Sequence, residues 1–174
     1  MESRSVRKTA SSASPAPPRG ASPAPSRGRI EPVIRAARPG DLPAVAALDA
    51  RNTGEAKPAY WRDLHRRVLR RPKERWFLVA EAEGRFLGFA IGEIRAWEFG
   101  SPPCGWVFAI GVDPGARLRN VGSRLVDAVA ERFRGAGIKH LRTMLRRDDN
   151  LNLSFFRSQG MMAGPFIQLE KVIE

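Results

Sequence analysis

Apolar and polar positions along this chain repeat with two different periods, which separate helices from strands. Helical stripes repeat every three to four residues, whereas half-buried strands alternate every two. From about residue 33 the pattern predicts a strand, two helices, a hairpin of two strands and a third strand buried on both faces. A loop, a helix, a strand, a short helix and a last strand follow. This order predicts an α/β fold (an α+β mixed sheet) with helices on both faces.

The predicted elements are bounded by turn and cap signals. Asp41 can cap the first helix, and Glu83-Gly84-Arg85 is expected to form the hairpin turn. Strands are expected at residues 33–36, 76–81, 86–97, 106–112, 138–145 and 166–172. Helices are expected near residues 41–53, 61–69, 121–133 and 151–159.

Residues 1–29 differ in composition from the rest of the chain. They are rich in Ser, Ala, Pro, Arg and Gly, and Val6 is their only large apolar residue besides Met1. Such a segment buries too little apolar surface to offset the entropy cost of ordering it. We therefore predict a disordered extension over residues 1–29, followed by one folded domain over residues 30–174. No continuous apolar stretch marks a secretory signal or approaches the roughly 18 residues of a membrane span.

Charge and reactive side chains narrow the classes of function. The net charge is +12, of which residues 1–29 carry +5, and a basic protein favours phosphate-bearing ligands, nucleic acid or membrane surfaces. Nucleic-acid binding is disfavoured because no recognition motif or aromatic-interleaved basic strand is present. The single cysteine, Cys104, excludes an internal disulfide framework and fits a reducing compartment. His65 and His140 lack metal-ligand spacing, so no metal site is predicted.

The most informative stretch is the loop that joins the third buried strand to the amphipathic helix. A Pro114-Gly115 turn is followed by Arg117 and Arg119, and the helix then begins near Val121. The first N–H groups of a helix lack helical partners, and the helix dipole adds partial positive charge there. The loop is therefore a predicted cradle for a phosphate or pyrophosphate group. It matches neither G-x-x-x-x-G-K-[ST] nor G-x-G-x-x-G.

The same loop resembles the pyrophosphate loop of the GNAT superfamily, the acyl-CoA-dependent N-acyltransferases. Val112, Pro114, Arg117 and Gly122 match the family pattern V-x-P-x-x-[RQ]-x-x-G-x-[GA]. Asn120 stands where the pattern has its first Gly, and Asn is the non-Gly residue that best tolerates left-handed backbone angles.

A second stretch resembles the next motif of that family. Asp149 or Asn150 stands for its Asn, Phe155-Phe156 for an aromatic pair on a short helix, and Gly160-Met161 for a closing Gly-Phe. The two motifs lie in the family's order, separated by one helix and one strand. The resemblance covers about residues 32–174.

The resemblance implies a GNAT-like fold whose sheet splays between the fourth and fifth strands. It also implies transfer of an acetyl group from acetyl-CoA to a primary amine of a small molecule or peptide. We expect such an enzyme to be cytoplasmic and to use neither a metal nor a membrane. Whether it forms a homodimer is left open. The implied cofactor-binding residues lie on the fourth strand, the loop and the second motif: Ile110, Gly111, Val112, Arg117, Leu118, Arg119, Asn120, Val121, Gly122, Ser123, Asn150 and Phe156.

Acid–base chemistry is where the chain departs from the family. The attacking amine must be uncharged, so a general base assists it. Many relatives carry a Glu on the fourth strand, but residues 106–111 offer none, and Glu93 on the preceding strand is the predicted catalytic base. The alternative for Glu93 is an ion pair with Arg95 or Arg85, or simply a position at the edge of the sheet. Phe156 also replaces a Tyr acid, so a non-catalytic acyl-CoA-binding or regulatory module is the alternative function.

Overall fold

A five-stranded mixed sheet organises the computed structural model, which describes residues 31–173 apart from the side chains of residues 117–119. The strands lie in the order of the sequence; the first four are antiparallel, and the fifth is parallel to the fourth. They are β1 (Val33–Ala36), β2 (Arg75–Ala82), β3 (Arg85–Arg95), β4 (Cys104–Val112) and β5 (Leu141–Arg142). The predicted mixed sheet is confirmed. The predicted disordered extension, residues 1–29, lies outside the described residues.

Helices cover both faces of the sheet, as the pattern predicts. Within residues 31–173 they are α1 (Leu42–Thr53), α2 (Pro58–Leu69), α3 (Val121–Gly135) and α4 (Asn150–Ser158), with 3₁₀ turns at Pro39–Asp41, Glu98–Gly100 and Pro114–Arg119. Apolar residues of α1 and α2 pack on one face, and those of α3 pack on the other. None of the described helices is long and apolar enough to cross a bilayer.

Two glycines let α3 lie close against the sheet. The ring of Phe133 covers β3 and β4 at Gly92 and Gly105. A Cβ atom would lie 2.7 Å from that ring at Gly92 and 2.3 Å from it at Gly105, both too close for any side chain. The same ring meets Trp76 of β2 in an edge-to-face contact, with ring centroids 5.4 Å apart. This packing holds the helix that follows the predicted phosphate loop firmly on β4.

Local turn signals are confirmed. Glu83 and Gly84 have φ angles of 51° and 73°, as the central residues of a tight hairpin turn require.

Asp41, however, does not cap α1 as predicted. Its carboxylate accepts hydrogen bonds from the backbone N–H of Arg38 (2.7 Å) and from the guanidinium of Arg35 (2.7 and 2.9 Å). A nearby guanidinium is a stronger donor than a helical N–H, so the side chain turns towards β1.

Two predicted strands are too long, and a third is absent. β3 ends at Arg95, because Trp97 and Phe99 take positive φ angles of 60° and 48° that break the extended backbone. β5 pairs only over Leu141–Arg142 instead of residues 138–145. Residues 166–172 form no strand, although their alternating pattern predicts one. A strand needs a partner edge, and β5 pairs over only two residues.

Candidate active site

Strands β4 and β5 separate after two paired residues. Gly105 pairs with Leu141 and Trp106 pairs with Arg142, and no strand pairing between β4 and β5 follows in the described residues. The β3–β4 register shifts by one residue between Ile91 and Gly92, which leaves Phe108 as the extra residue of a bulge on β4. The predicted splay between the fourth and fifth strands is confirmed, and it begins beside this bulge.

A cavity of about 230 Å³ occupies the gap between the separated strands. Residues 107–110 of β4 and residues 143–145, which follow β5, form its two sides. Phe156 of α4, Phe89 of β3 and Trp61 of α2 contribute aromatic walls. The gap is therefore lined mainly by apolar side chains and by the backbone of β4.

The loop after β4 has the local structure that the sequence predicts. The Asp113 carboxylate accepts a hydrogen bond from the N–H of Gly115 over 2.8 Å and contacts Arg51 over 3.3 Å. Asn120 takes the left-handed conformation, with a φ angle of 58°, directly before α3 begins. The expectation that Asn replaces a glycine in a left-handed position is confirmed. The side chains of residues 117–119 lie outside the described part of the chain.

Helix α4 supports the start of α3. The ring of Phe155 lies over Gly122, where a Cβ atom would approach it to 3.0 Å. The side-chain amide of Gln159 donates a hydrogen bond to the hydroxyl of Ser123 over 3.0 Å, and Val121 is fully buried. The free N–H groups of a helix start attract anions. The predicted phosphate cradle is thus held in place by contacts from the second motif.

Among the other predicted cofactor residues, Ile110 and Phe156 line the cavity, whereas Asn150 does not. Ile110 lines the cavity, and Val112 ends β4, while a Cβ at Gly111 would lie 2.7 Å from the ring of Phe89. Phe156 is 3% exposed and lines the cavity.

Asn150 opens α4 with an exposed side chain and does not line the cavity. Asn152 lines it instead and is held by Asp149, whose Oδ2 accepts from the Asn152 amide over 2.6 Å. The cofactor-binding role of Asn150 stays a prediction.

Glu93 lies on β3 opposite Trp106, the last residue of β4 before the strands separate. Arg95 lies 2.9 Å from its Oε1 and Arg75 lies 3.2 Å from its Oε2, so both oxygens are ion-paired. The ion pair with Arg95 is therefore present, whereas Arg85 contacts Asp113. Glu93 does not line the cavity, and its catalytic role stays a prediction.

Sequence reasoning missed Asp49, the one charged side chain that lines this cavity in the described residues. It lies on α1 and is 12% exposed. The indole N–H of Trp61 donates to its Oδ2 over 3.1 Å, and the ammonium of Lys57 lies 3.1 Å from the same oxygen. The available signal was its position four residues after Val45, beside the apolar stripe of the first helix.

Two curated relatives are enzymes of acetyl transfer. The chain is 30% identical over 87 residues to the L-2,4-diaminobutyric acid acetyltransferase of Nocardia farcinica. This alignment covers 50% of this chain and 44% of the relative. It is 29% identical over 134 residues to the mycothiol acetyltransferase of Sanguibacter keddieii, which covers 73% of this chain and 42% of the relative. The chain thus spans less than half the length of these relatives.

Solved structures share the fold. The aminoglycoside N-acetyltransferase AAC(6')-Iy in complex with CoA superposes with a TM-score of 0.73 at 19% identity, covering 84% of this chain and 97% of that one. Ard1 from Thermoplasma volcanium superposes with a TM-score of 0.64 at 25% identity, covering 75% and 82%.

The sequence model of the acetyltransferase (GNAT) family matches residues 42–161, from the start of α1 through both motifs to Met161. The matched residues include β4 and β5, most of the residues that line the cavity between these strands, and the left-handed Asn120. The chain therefore belongs to the acetyltransferase (GNAT) family.

Proposed function

We propose that this protein is an N-acetyltransferase that moves the acetyl group of acetyl-CoA to a primary amine. One observation carries the proposal: the gap between β4 and β5 opens at a bulge, and the same strand leads directly into the loop at the start of α3. An elongated ligand with an anionic end and a reactive end fits a site built in this order.

The residues present fit acetyl-CoA. The N-terminus of α3 offers N–H groups to the pyrophosphate. Along residues 107–110, β4 lies beside β3 on one side, and no described strand pairs with it on the β5 side. Backbone groups that face the gap beyond the Val107 carbonyl, which accepts a hydrogen bond from Thr143, can bind the amide groups of the pantetheine arm. Bound acetyl-CoA supplies an acetyl thioester, and an N–H near the bulge at Phe108 stabilises charge that develops on its oxygen.

Proton transfer from the amine is assigned to Glu93, acting through water. Its position opposite Trp106 supports this role, because Trp106 is the last paired residue before the gap. The ion pairs with Arg75 and Arg95 hold the Glu93 carboxylate in place, and they must break before this carboxylate can accept a proton.

No tyrosine serves as the general acid in this proposal. Phe156 stands at that position, and the exposed Tyr60 lies on α2. A thiol leaves readily as thiolate, since its pKa is about 8.5. We therefore assign protonation of the leaving group to solvent. A cytoplasmic location and the question of a homodimer stay at the level of sequence prediction.

The competing function is an acyl-CoA-binding module without catalysis. The experiment measures thiol release from acetyl-CoA in the presence and absence of a panel of primary amines, and identifies the acetylated product by mass spectrometry. Amine-dependent thiol release matched by N-acetyl product is expected. Tight acetyl-CoA binding by calorimetry with no product from any amine would favour the binding module, and no binding at all would reject both.

A further inference from the structure

The cavity between the separated strands contains one built-in negative charge. The Asp49 side chain is 12% exposed, and both its Trp61 and Lys57 contacts reach Oδ2 over 3.1 Å. Within residues 31–173, every hydrogen bond and ion pair of this carboxylate falls on that oxygen. Its second oxygen, Oδ1, is left to meet a ligand in the cavity.

The rest of the cavity wall gives this carboxylate no competing cation. No Lys, Arg or His is among the described residues that line it. Most of the lining residues are aromatic or aliphatic, and the largest are Trp61, Phe89, Phe108 and Phe156. Thr143 and Asn152 are the neutral polar residues among the described residues of the lining. A partly buried carboxylate is stabilised by a cation, whereas a second anion beside it is repelled.

Lys57 contacts the carboxylate but is not among the residues that line the cavity. Its ammonium contacts Oδ2 from the start of α2, and its side chain is 31% exposed to solvent. It therefore orients Asp49 and partly offsets its charge, but it does not present a cation to a ligand inside the cavity.

We propose that Asp49 binds the ammonium group of the acceptor, and that the acceptor is a primary amine on an apolar carbon body with no carboxylate beside the amine. This inference rests on the proposed N-acetyltransferase function and names its substrate class. The ammonium binds Oδ1 while the carbon body packs on the aromatic walls. A carboxylate next to the amine would lie against Asp49 without a cation in the wall to balance it.

The reaction is balanced with these groups. The bound ammonium first loses one proton to the base or to solvent and becomes nucleophilic. The amine nitrogen then forms a bond to the acetyl carbon as the C–S bond breaks, and the electron pair of that bond leaves on sulfur as thiolate. The second proton leaves the nitrogen for solvent, and solvent protonates the thiolate, which gives an N-acetyl product and free CoA.

Matched probes test the substrate class. 2-Phenylethylamine and L-phenylalanine share a ring and an amine and differ by the carboxylate. Wild-type kcat/KM is expected to be at least about tenfold higher for 2-phenylethylamine, equivalent to 1.4 kcal/mol of discrimination. The Asp49→Asn variant should raise the KM for 2-phenylethylamine about tenfold or more and reduce the preference between the probes, with acetyl-CoA affinity unchanged by calorimetry.

The control is Asp63→Asn, which makes the same change at an exposed carboxylate of α2 that pairs with Arg66 and Arg67. It should leave KM unaltered. If Asp49→Asn fails to fold, Lys57→Met supplies the test, because removing the cation that contacts Asp49 should lower the KM for 2-phenylethylamine severalfold. A raised KM in Lys57→Met would overturn the proposal.

The outcomes separate this inference from the proposed function. Equal or faster acetylation of L-phenylalanine, or an unchanged KM in Asp49→Asn, would overturn the role of Asp49 while leaving the N-acetyltransferase intact. If neither probe is acetylated, calorimetry with the CoA-bound protein decides: 2-phenylethylamine binding that is lost in Asp49→Asn supports the acceptor site, and absence of binding overturns it.

Discussion

The side-chain hydroxyl of Thr143 donates a hydrogen bond to the backbone carbonyl oxygen of Val107 over 2.7 Å. It does so directly after the last paired residues of β5 and β4, Arg142 and Trp106. A side chain thus stands where a further backbone rung of the ladder would lie. The carbonyl is satisfied while the two backbones separate, so this contact marks the origin of the cavity.

Replacing Thr143 with Val is expected to destabilise the protein, because Val keeps the shape but leaves the Val107 carbonyl without its donor. The free energy of unfolding should fall by about 1–3 kcal/mol, as measured by chemical denaturation. Thr143→Ser retains the hydroxyl and is the control, with most of the stability preserved. Equal losses in the two variants would show that the methyl group, and not the hydrogen bond, matters here.

Charge at Gly122 tests the phosphate site. Asn and Asp at this position have the same bulk and meet the same Phe155 ring, where a Cβ approaches to 3.0 Å. Asp adds a negative charge that favours a helix start but repels phosphates. Gly122→Asp should therefore be at least as stable as Gly122→Asn. By calorimetry it should bind CoA about tenfold more weakly than Gly122→Asn, and this difference in affinity should be smaller at high salt. Equal affinities would contradict the loop assignment.

Glu93→Gln keeps the size of the side chain but cannot accept the proton. Turnover is expected to fall by roughly ten- to ten-thousand-fold, with acetyl-CoA affinity unchanged. Arg75→Gln is the control, because it removes one ion pair of Glu93 and leaves the carboxylate. Similar turnover losses in both variants would assign Glu93 a structural role, and full activity in Glu93→Gln would remove it from the mechanism.

The ion pair between Arg35 of β1 and Asp41 at the start of α1 predicts a pH dependence of stability. The Arg35 guanidinium, helped by the N–H of Arg38, holds the pKa of Asp41 below its usual range against the opposing effect of burial. A lowered folded-state pKa means that the stabilisation is fully present above the unfolded pKa of about 4 and is lost as pH falls through the folded value.

Asp41→Asn should accordingly be less stable than wild type by about 1–3 kcal/mol at pH 7, and the difference should shrink below about pH 4. Denaturant titrations across pH measure it. Asp127→Asn, at an exposed position of α3, is the control and should change the free energy of unfolding little at neutral pH. A gap for Asp41→Asn that stays constant down to pH 2 would contradict the assignment.

Removal of residues 1–29 is expected to leave the melting temperature and the CoA affinity nearly unchanged, because their composition cannot build a core. The truncated chain retains Glu31 and its ion pair with Arg124 on α3. Thermal unfolding and calorimetry compare the two forms. A large fall in melting temperature on truncation would mean that this segment packs on the domain.

Features set by neighbouring residues were predictable from the sequence alone. The hairpin at Glu83 and Gly84, the left-handed Asn120 and the start of α3 at Val121 all depend on a few consecutive residues. The mixed sheet followed from the order of the elements, and its splay was implied by the family resemblance that the two motifs carry. In these cases, local backbone preference and tertiary packing favour the same conformation.

Tertiary structure decided the extent of β5, the absence of a strand at residues 166–172 and the polar partners of the site. A strand exists only where another edge accepts its hydrogen bonds, and alternation of side chains cannot show whether that edge is present. Asp49 meets Trp61 across two helices, and Glu93 meets Arg75 across two strands. The sequence by itself determined the family loop and the sheet, whereas the charge that faces the cavity was decided by packing between elements distant along the chain.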